Sequence, residues 1–191
     1  MRTIPLLAGA LVSSMLIAAM SAAVDAAPRK DRVRGNAHGL GTRSLGLPPI
    51  TLFDLRVQAQ SGAMGEKPKG HVFLEVSQKA SADAEALPIL DVHVRVSCLR
   101  VASDPFRPED RLATVAGVIT RSRTSGVVKG EGLLILVFDS DDPNGVQGIA
   151  YFLTPFPAEC PHPLDVLPSV LGSSQFLALT DGDVRVEDAE P

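Results

Sequence analysis

Alternation with a period of two is the feature that most restricts what this chain can become. In the segment DVHVRVSCLRV, Val92, Val94, Val96 and Cys98 fall on one side, and His93, Arg95 and Ser97 fall on the other. Successive side chains of an extended strand point to opposite faces, so this spacing predicts a strand with one face in a core and one in water. A helix would scatter the same residues around its axis. ITLFDLRVQAQ repeats the pattern, with Phe53, Leu55, Val57 and Ala59 set against Asp54, Arg56, Gln58 and Gln60. GHVFLEVSQ does so again through Val72, Leu74 and Val76. RLATVAGVITRS is a β-branched strand in which Gly117 marks a bulge or a close backbone approach. GLLILVFDS is apolar without interruption from Leu133 to Phe138, which predicts a central strand covered on both faces. IAYFLTP, QFLALT and DVRVED supply three further strands.

DDPNG and TDGD provide the Asp, Asn and Gly that tight turns need. Residues 78–87 hold good helix formers, but Pro88 stops them and one short helical turn is the most they allow. The prolines of the body read as lying between strands, and the Pro-rich stretch 155–168 reads as a long surface crossing. Together these signals predict an all-β fold, a single antiparallel β-sandwich or small β-barrel of about seven or eight strands.

The N-terminus has a different character. Arg2, the uncharged apolar run Ile4–Met20 and the small residues from Ser21 to Ala27 read as a secretory signal peptide over residues 1–26. Cleavage falls best after Ala26, with Ala23 and Ala27 as alternatives. The run is short of the ~20 residues a spanning helix needs, and no second long apolar run follows it. The processed chain is therefore expected to be exported, periplasmic or extracellular, and not membrane-embedded. Residues 27–48 are basic and Gly-rich, without apolar periodicity, and read as a flexible linker. Residues 49–191 form the all-β domain. Its Cys98 and Cys160 are the only cysteines, and a pair in an exported chain predicts a disulfide, with two free buried thiols as the alternative.

Composition excludes more than it names. The net charge is -4, and residues 47–191 carry 12 Lys and Arg against 20 Asp and Glu, which argues against a nucleic-acid binder with a basic face. With no Trp and one Tyr, the chain lacks the stacking surfaces of lectins and single-strand binders. There is no Gly-rich phosphate loop and no G-x-S-x-G elbow. Asp139, Asp141, Asp142 and Asn144 open somewhat like a calcium loop, but the fifth and twelfth positions are Pro143 and Ala150, so a hairpin turn is the simpler account. His38, His71, His93 and His162 lack metal-ligand spacing. His71 and His93 fall on strands whose outer faces could be neighbours, without a third ligand. Cys160 and His162 would suit copper or zinc only if the disulfide did not form. No cofactor is predicted. The resulting expectation is a non-enzymatic structural or interaction module with an envelope or protein partner. The alternatives are a barrel binding a small molecule or a metal such as calcium, and a hydrolase without a recognisable motif.

The motif V-x-C-L-x-V at Val96–Val101, A-x-V-x-G-V-I at Ala113–Ile119, the strand and Asp turn over Val137–Gly145, the later Cys160 and the closing G-D-V-x-V-x-D-A at Gly182–Ala189 form one further pattern. In these the chain resembles a family of uncharacterised secreted bacterial all-β proteins, over roughly residues 50–189. It departs from the family where ASDPFRPED replaces a short Gly-Asn hairpin after Val101. The resemblance implies an all-β fold and export, and no activity.

Overall fold

A computed structural model describes residues 30–41, 49–63, 65–140, 147–155, 159–171 and 176–189. The signal segment 1–26 lies outside these residues. Eight strands follow in order: β1 Arg32–Gly41, β2 Ile50–Gln60, β3 Lys69–Lys79, β4 Leu87–Ser103, β5 Arg111–Ser122, β6 Gly132–Asp139, β7 Gly148–Thr154 and β8 Phe176–Glu187. Helix α1, Pro163–Leu171, lies between β7 and β8. Each strand pairs antiparallel with the next, and β8 returns to pair with β1, closing a barrel. Of the two architectures the alternation allowed, closure selects the barrel.

The inward face is the core. Leu55, Leu74, Val76, Val92, Ile135 and Ile149 are all fully buried in one apolar cluster that fills the lumen. Burying each such side chain stabilises the fold by about 1.5–3 kcal/mol. On β1–β4 and β8 the outward positions carry Arg, Lys, Asp, Glu, Gln and His. Apolar inside and charged outside is the reverse of a membrane-spanning barrel. No described helix is long and apolar enough to cross a membrane.

Besides the joining of QFLALT and DVRVED through TDGD into the one strand β8, in place of two strands and a turn, three readings of the sequence change here. First, residues 32–41 are not linker but strand β1, which closes the barrel between β2 and β8. Its inward positions are Val33, Gly35, Ala37, Gly39 and Gly41, too small to register as an apolar stripe. The lumen needs them small. Gly39 pairs with Phe53, and a Cβ at Gly39 would sit 2.2 Å from that ring. Small barrels set small residues against large ones to fit the taper, and Phe53 occupies the space that β1 leaves.

Second, Cys98 does not share a face with Val92, Val94 and Val96. The β4–β5 register passes from Val96↔Gly117 to Cys98↔Ala116, so Ser97 is the extra residue of a β-bulge. Beyond it the parity reverses: Leu99 enters the lumen, and Cys98 turns outward to pack with Ala116 and Leu134. Gly117 sits at the bulge because a Cβ there would lie 2.2 Å from the Arg95 carbonyl oxygen. The re-aimed Cys98 bonds to Cys160, 62 residues later, with the two Cα atoms 5.3 Å apart.

Third, the Pro-rich crossing contains α1, and Pro88 lies inside β4. Pro163 occupies the first helical turn, where a missing N–H costs nothing. His162 caps the helix end: its carbonyl accepts from Asp165 N at 3.0 Å and its Nδ1 from Leu164 N at 3.4 Å. Leu167 and Val170 then pack on Leu112, Leu136 and Ala150, outside the barrel. Strand β6 is thereby buried on both faces, with Leu133, Ile135 and Val137 inside and Leu134 and Leu136 under α1 and its flank. That is the two-sided burial expected of Leu133–Phe138. Pro88 is tolerated where the β3–β4 register shifts, between Val76 and Ser77.

Candidate functional site

Apolar side chains occupy the interior that a lumen-bound small molecule would need. The chemistry available to a partner therefore lies on the outer wall. Register decides how it is arranged. One row across the strands reads Arg185 on β8, Arg34 on β1, Gln58 on β2, His71 on β3 and Arg95 on β4. The row toward the barrel mouth reads Glu187, Arg32, Gln60 and Lys69. On the other side lie Asp183, Asn36, Arg56, Phe73 and His93, and beyond them Asp181, His38, Asp54, Glu75 and Asp91. A basic band thus runs beside an acidic one.

Within the basic band, β1, β2 and β3 form a concave groove of about 750 Å³. It is lined by Arg32, Arg34, Arg56, Gln58, Lys69 and His71, with no carboxylate in its lining. Glu187, at the edge, holds Arg34 at 2.7 Å and Arg32 at 3.6 Å. Asp183 holds Arg185 at 2.7 Å. Arg56 lies 5.6 Å over the Phe73 ring, with its Nε 3.8 Å from Asp54. Lys69, His71 and Arg95 are exposed and make no ion pair among the described residues.

Like charges stand directly opposite one another at Arg34↔Arg185 and along Asp54↔Glu75↔Asp91. Such cross-strand pairs are destabilising, and alternating the signs would relieve them. The fold offsets them in part through Arg123, 3.5 Å from Asp91, and Arg56, 3.8 Å from Asp54. Asp54 Oδ1 and Asp91 Oδ1 are still buried without a hydrogen-bond partner among the described residues. Packing alone does not call for segregated signs on a solvated wall.

Comparison with protein-family models, with curated proteins and with solved structures finds no match. The functional reading therefore rests on the residues themselves.

Of the four candidate calcium ligands, Asp141, Asp142 and Asn144 lie outside the described residues. Asp139 has both oxygens engaged: Oδ1 accepts from Gln147 Nε2 at 3.1 Å and Oδ2 from Val186 N at 2.7 Å. It ties the end of β6 to β8 where β7 is too short to intervene, since β7 and β8 pair only through Gly148–Ala150. No group of three metal-ligating side chains occurs among the described residues. His71 and His93 do share an outer face, but Phe73 stands opposite His93 with ring centroids 4.9 Å apart. Cys160 is in the disulfide and His162 caps α1, so neither is free for copper or zinc.

A buried carboxyl at the barrel mouth has a structural role. Asp31 Oδ1 accepts from Ala189 N at 3.0 Å, and Ser61 Oγ donates to its Oδ2 at 3.4 Å. The start of β1, the end of β2 and the chain beyond β8 are joined there. Burial raises the Asp31 pKa above the ordinary 3.8, Asp188 and Glu66 add to the rise, and the Ala189 and Ser61 donors oppose it. The native state then holds this proton more tightly than the unfolded state. The Asp31 contribution to stability is full at low pH and declines as pH rises from about 3.8 through the folded value. Asp31→Asn keeps an acceptor for Ala189 and removes the charge. Denaturant unfolding across this range is expected to give a flatter pH profile for the variant than for the parent chain. Parallel profiles would reject this role.

The sequence showed each cation singly but not the band. Arg34, His71 and Arg95 lie on three strands far apart in sequence, and only the pairing register aligns them.

Proposed function

We propose that the chain is an exported, non-enzymatic interaction module that docks an anionic partner on the basic wall of β1–β4. The observation that carries this reading is the groove between β1 and β3, cationic and free of carboxylates on a protein of net charge -4. Its guanidinium, ammonium and amide groups suit the binding of negative charge rather than the breaking of bonds. The leader supports export, and a disulfide is compatible with an oxidising compartment. The acidic row lies four residues away along each strand, about 13–14 Å, which exceeds the Debye length of about 8–10 Å at 0.1–0.15 M ionic strength, so it does not cancel the basic patch at contact range.

Cation-exchange chromatography tests the reading. At neutral pH and about 0.1 M salt, where the Debye length is about 10 Å, the processed chain is expected to be retained on a sulfonate resin despite its net negative charge. Lys69→Glu combined with Arg95→Glu is expected to flow through with an unchanged melting temperature, both side chains being exposed. Identical elution of the two proteins would remove the basis for the proposal.

A further inference from the structure

We propose that the basic band is the track for one chain of an acidic polysaccharide, carrying a carboxylate or sulfate at each repeat and lying across β1–β4. The inference rests on the anion-docking reading and adds the class of ligand.

Shape comes first. From Arg34 to Arg95 the row crosses the four adjacent strands β1–β4, which at about 4.8 Å per step makes it about 14 Å long. A single small anion is held best by donors that converge on it. Here Arg32, Arg34, Arg56, Lys69 and His71 are spread along the open groove of β1–β3, and Arg95 continues the row onto β4 beyond its lining, which matches a ligand of repeating charge. The width is limited as well. The acidic row through Asp54, Glu75 and Asp91 lies four residues along each strand from the basic row, or about 13–14 Å away. A narrow single chain fits beside it. A nucleic-acid duplex, whose major groove alone spans about 12 Å, would lay phosphates over the carboxylates as well.

The side chains then distinguish among narrow polyanions. Asn36, Gln58 and Gln60 lie among the cations and can donate to and accept from hydroxyl groups. Arg34, braced at 2.7 Å by Glu187, and Arg56, 3.8 Å from Asp54, present planar guanidinium groups whose remaining N–H donors can take a carboxylate or sulfate. Arg56 is already set over the Phe73 ring, which reduces the ordering cost of binding. A single nucleic-acid strand would need aromatic faces for its bases, and a neutral sugar would need them for its rings; the lining offers only the His71 imidazole, so the ligand that fits is gripped through its anionic groups and hydroxyls rather than by stacking. A lipid surface would favour a convex patch with apolar anchors. The exposed large apolar residues Leu87, Ile89, Phe106, Val128 and Leu153 all lie off the groove lining.

Titration calorimetry of the processed chain with size-fractionated polygalacturonate tests the inference. Affinity is expected to rise with oligomer length until the oligomer covers the band, and then to level off. Arg95→Glu with Lys69→Glu is expected to weaken binding at least about tenfold. Lys129→Glu, an exposed change in the β5–β6 turn, is expected to leave it unaltered. Oligothymidylate at matched charge is expected to bind more weakly; equal or tighter binding overturns the polysaccharide inference in favour of a general polyanion site. Retention on the sulfonate resin without polygalacturonate binding also overturns it and leaves anion docking standing. Failure of both resin and polygalacturonate removes both.

Discussion

Replacing Cys98 and Cys160 together by alanine is expected to lower the unfolding free energy by about 4 kcal/mol. The bond closes a loop of 62 residues, and releasing it restores to the unfolded chain the freedom that the cross-link removes. Against the 5–15 kcal/mol net stability typical of a domain, the loss is large. The native state contributes too. Cys160 lies three residues before α1, and with Cys98, Ala116 and Leu134 it belongs to the patch that anchors the helix flank. Without that anchor, Leu112, Leu134 and Leu136 depend on α1 packing alone to stay covered. Guanidinium unfolding of the parent and the double variant, compared at equal slope, measures the difference. Limited proteolysis should cut first between residues 155 and 171 in the variant. A difference below about 1 kcal/mol, the size of a median point mutation, would show that the cross-link contributes little.

The parts of the fold that were legible in sequence are those in which one residue pattern serves one local geometry. Val92, Val94 and Val96 alternate because the strand they form has a single buried face. Leu133–Phe138 is continuously apolar because β6 has two. The reversal at Ser97 could not be read in the same way. A bulge is a relation between two strands, and DVHVRVSCLRV alternates smoothly through it. Helix α1 was hidden by Pro168, which argues against a helix, although Leu167 and Val170 have helical spacing with Pro163. The basic band was hidden for the reason that hid the bulge. His71 and Arg95 become neighbours only when β3 and β4 pair in one register, and a slip of either strand by one residue would turn its member of the pair into the lumen.

Strand β1 sets the second large expectation. A chain beginning at Pro49 is expected to lose cooperative folding, whereas the chain beginning at Ala27 keeps it. If residues 27–48 were a linker, the two would melt alike. In the barrel, β1 pairs with β2 from Arg32 to Leu40 and with β8 from Arg32 to Gly41, so its removal strips hydrogen-bond partners from two strands at once. It also removes the fully buried Val33 and Ala37 and opens the lumen beside Leu55 and Val184. The lost contributions are of the order of the whole net stability of a domain, about 5–15 kcal/mol. Two new sheet edges are created as well, and exposed edges template association between chains. The shortened protein should therefore show a broad, non-cooperative melt and large species in size-exclusion chromatography. A peptide of residues 30–41, added in excess, should pair with both edges and restore the melt, as strand addition does elsewhere. The same peptide with Val33→Asp and Ala37→Asp should not, because both positions lie in the lumen, where an unpaired charge has no partner. Rescue by the first peptide and not the second separates a barrel-closing strand from a tether, because a tether would tolerate both substitutions.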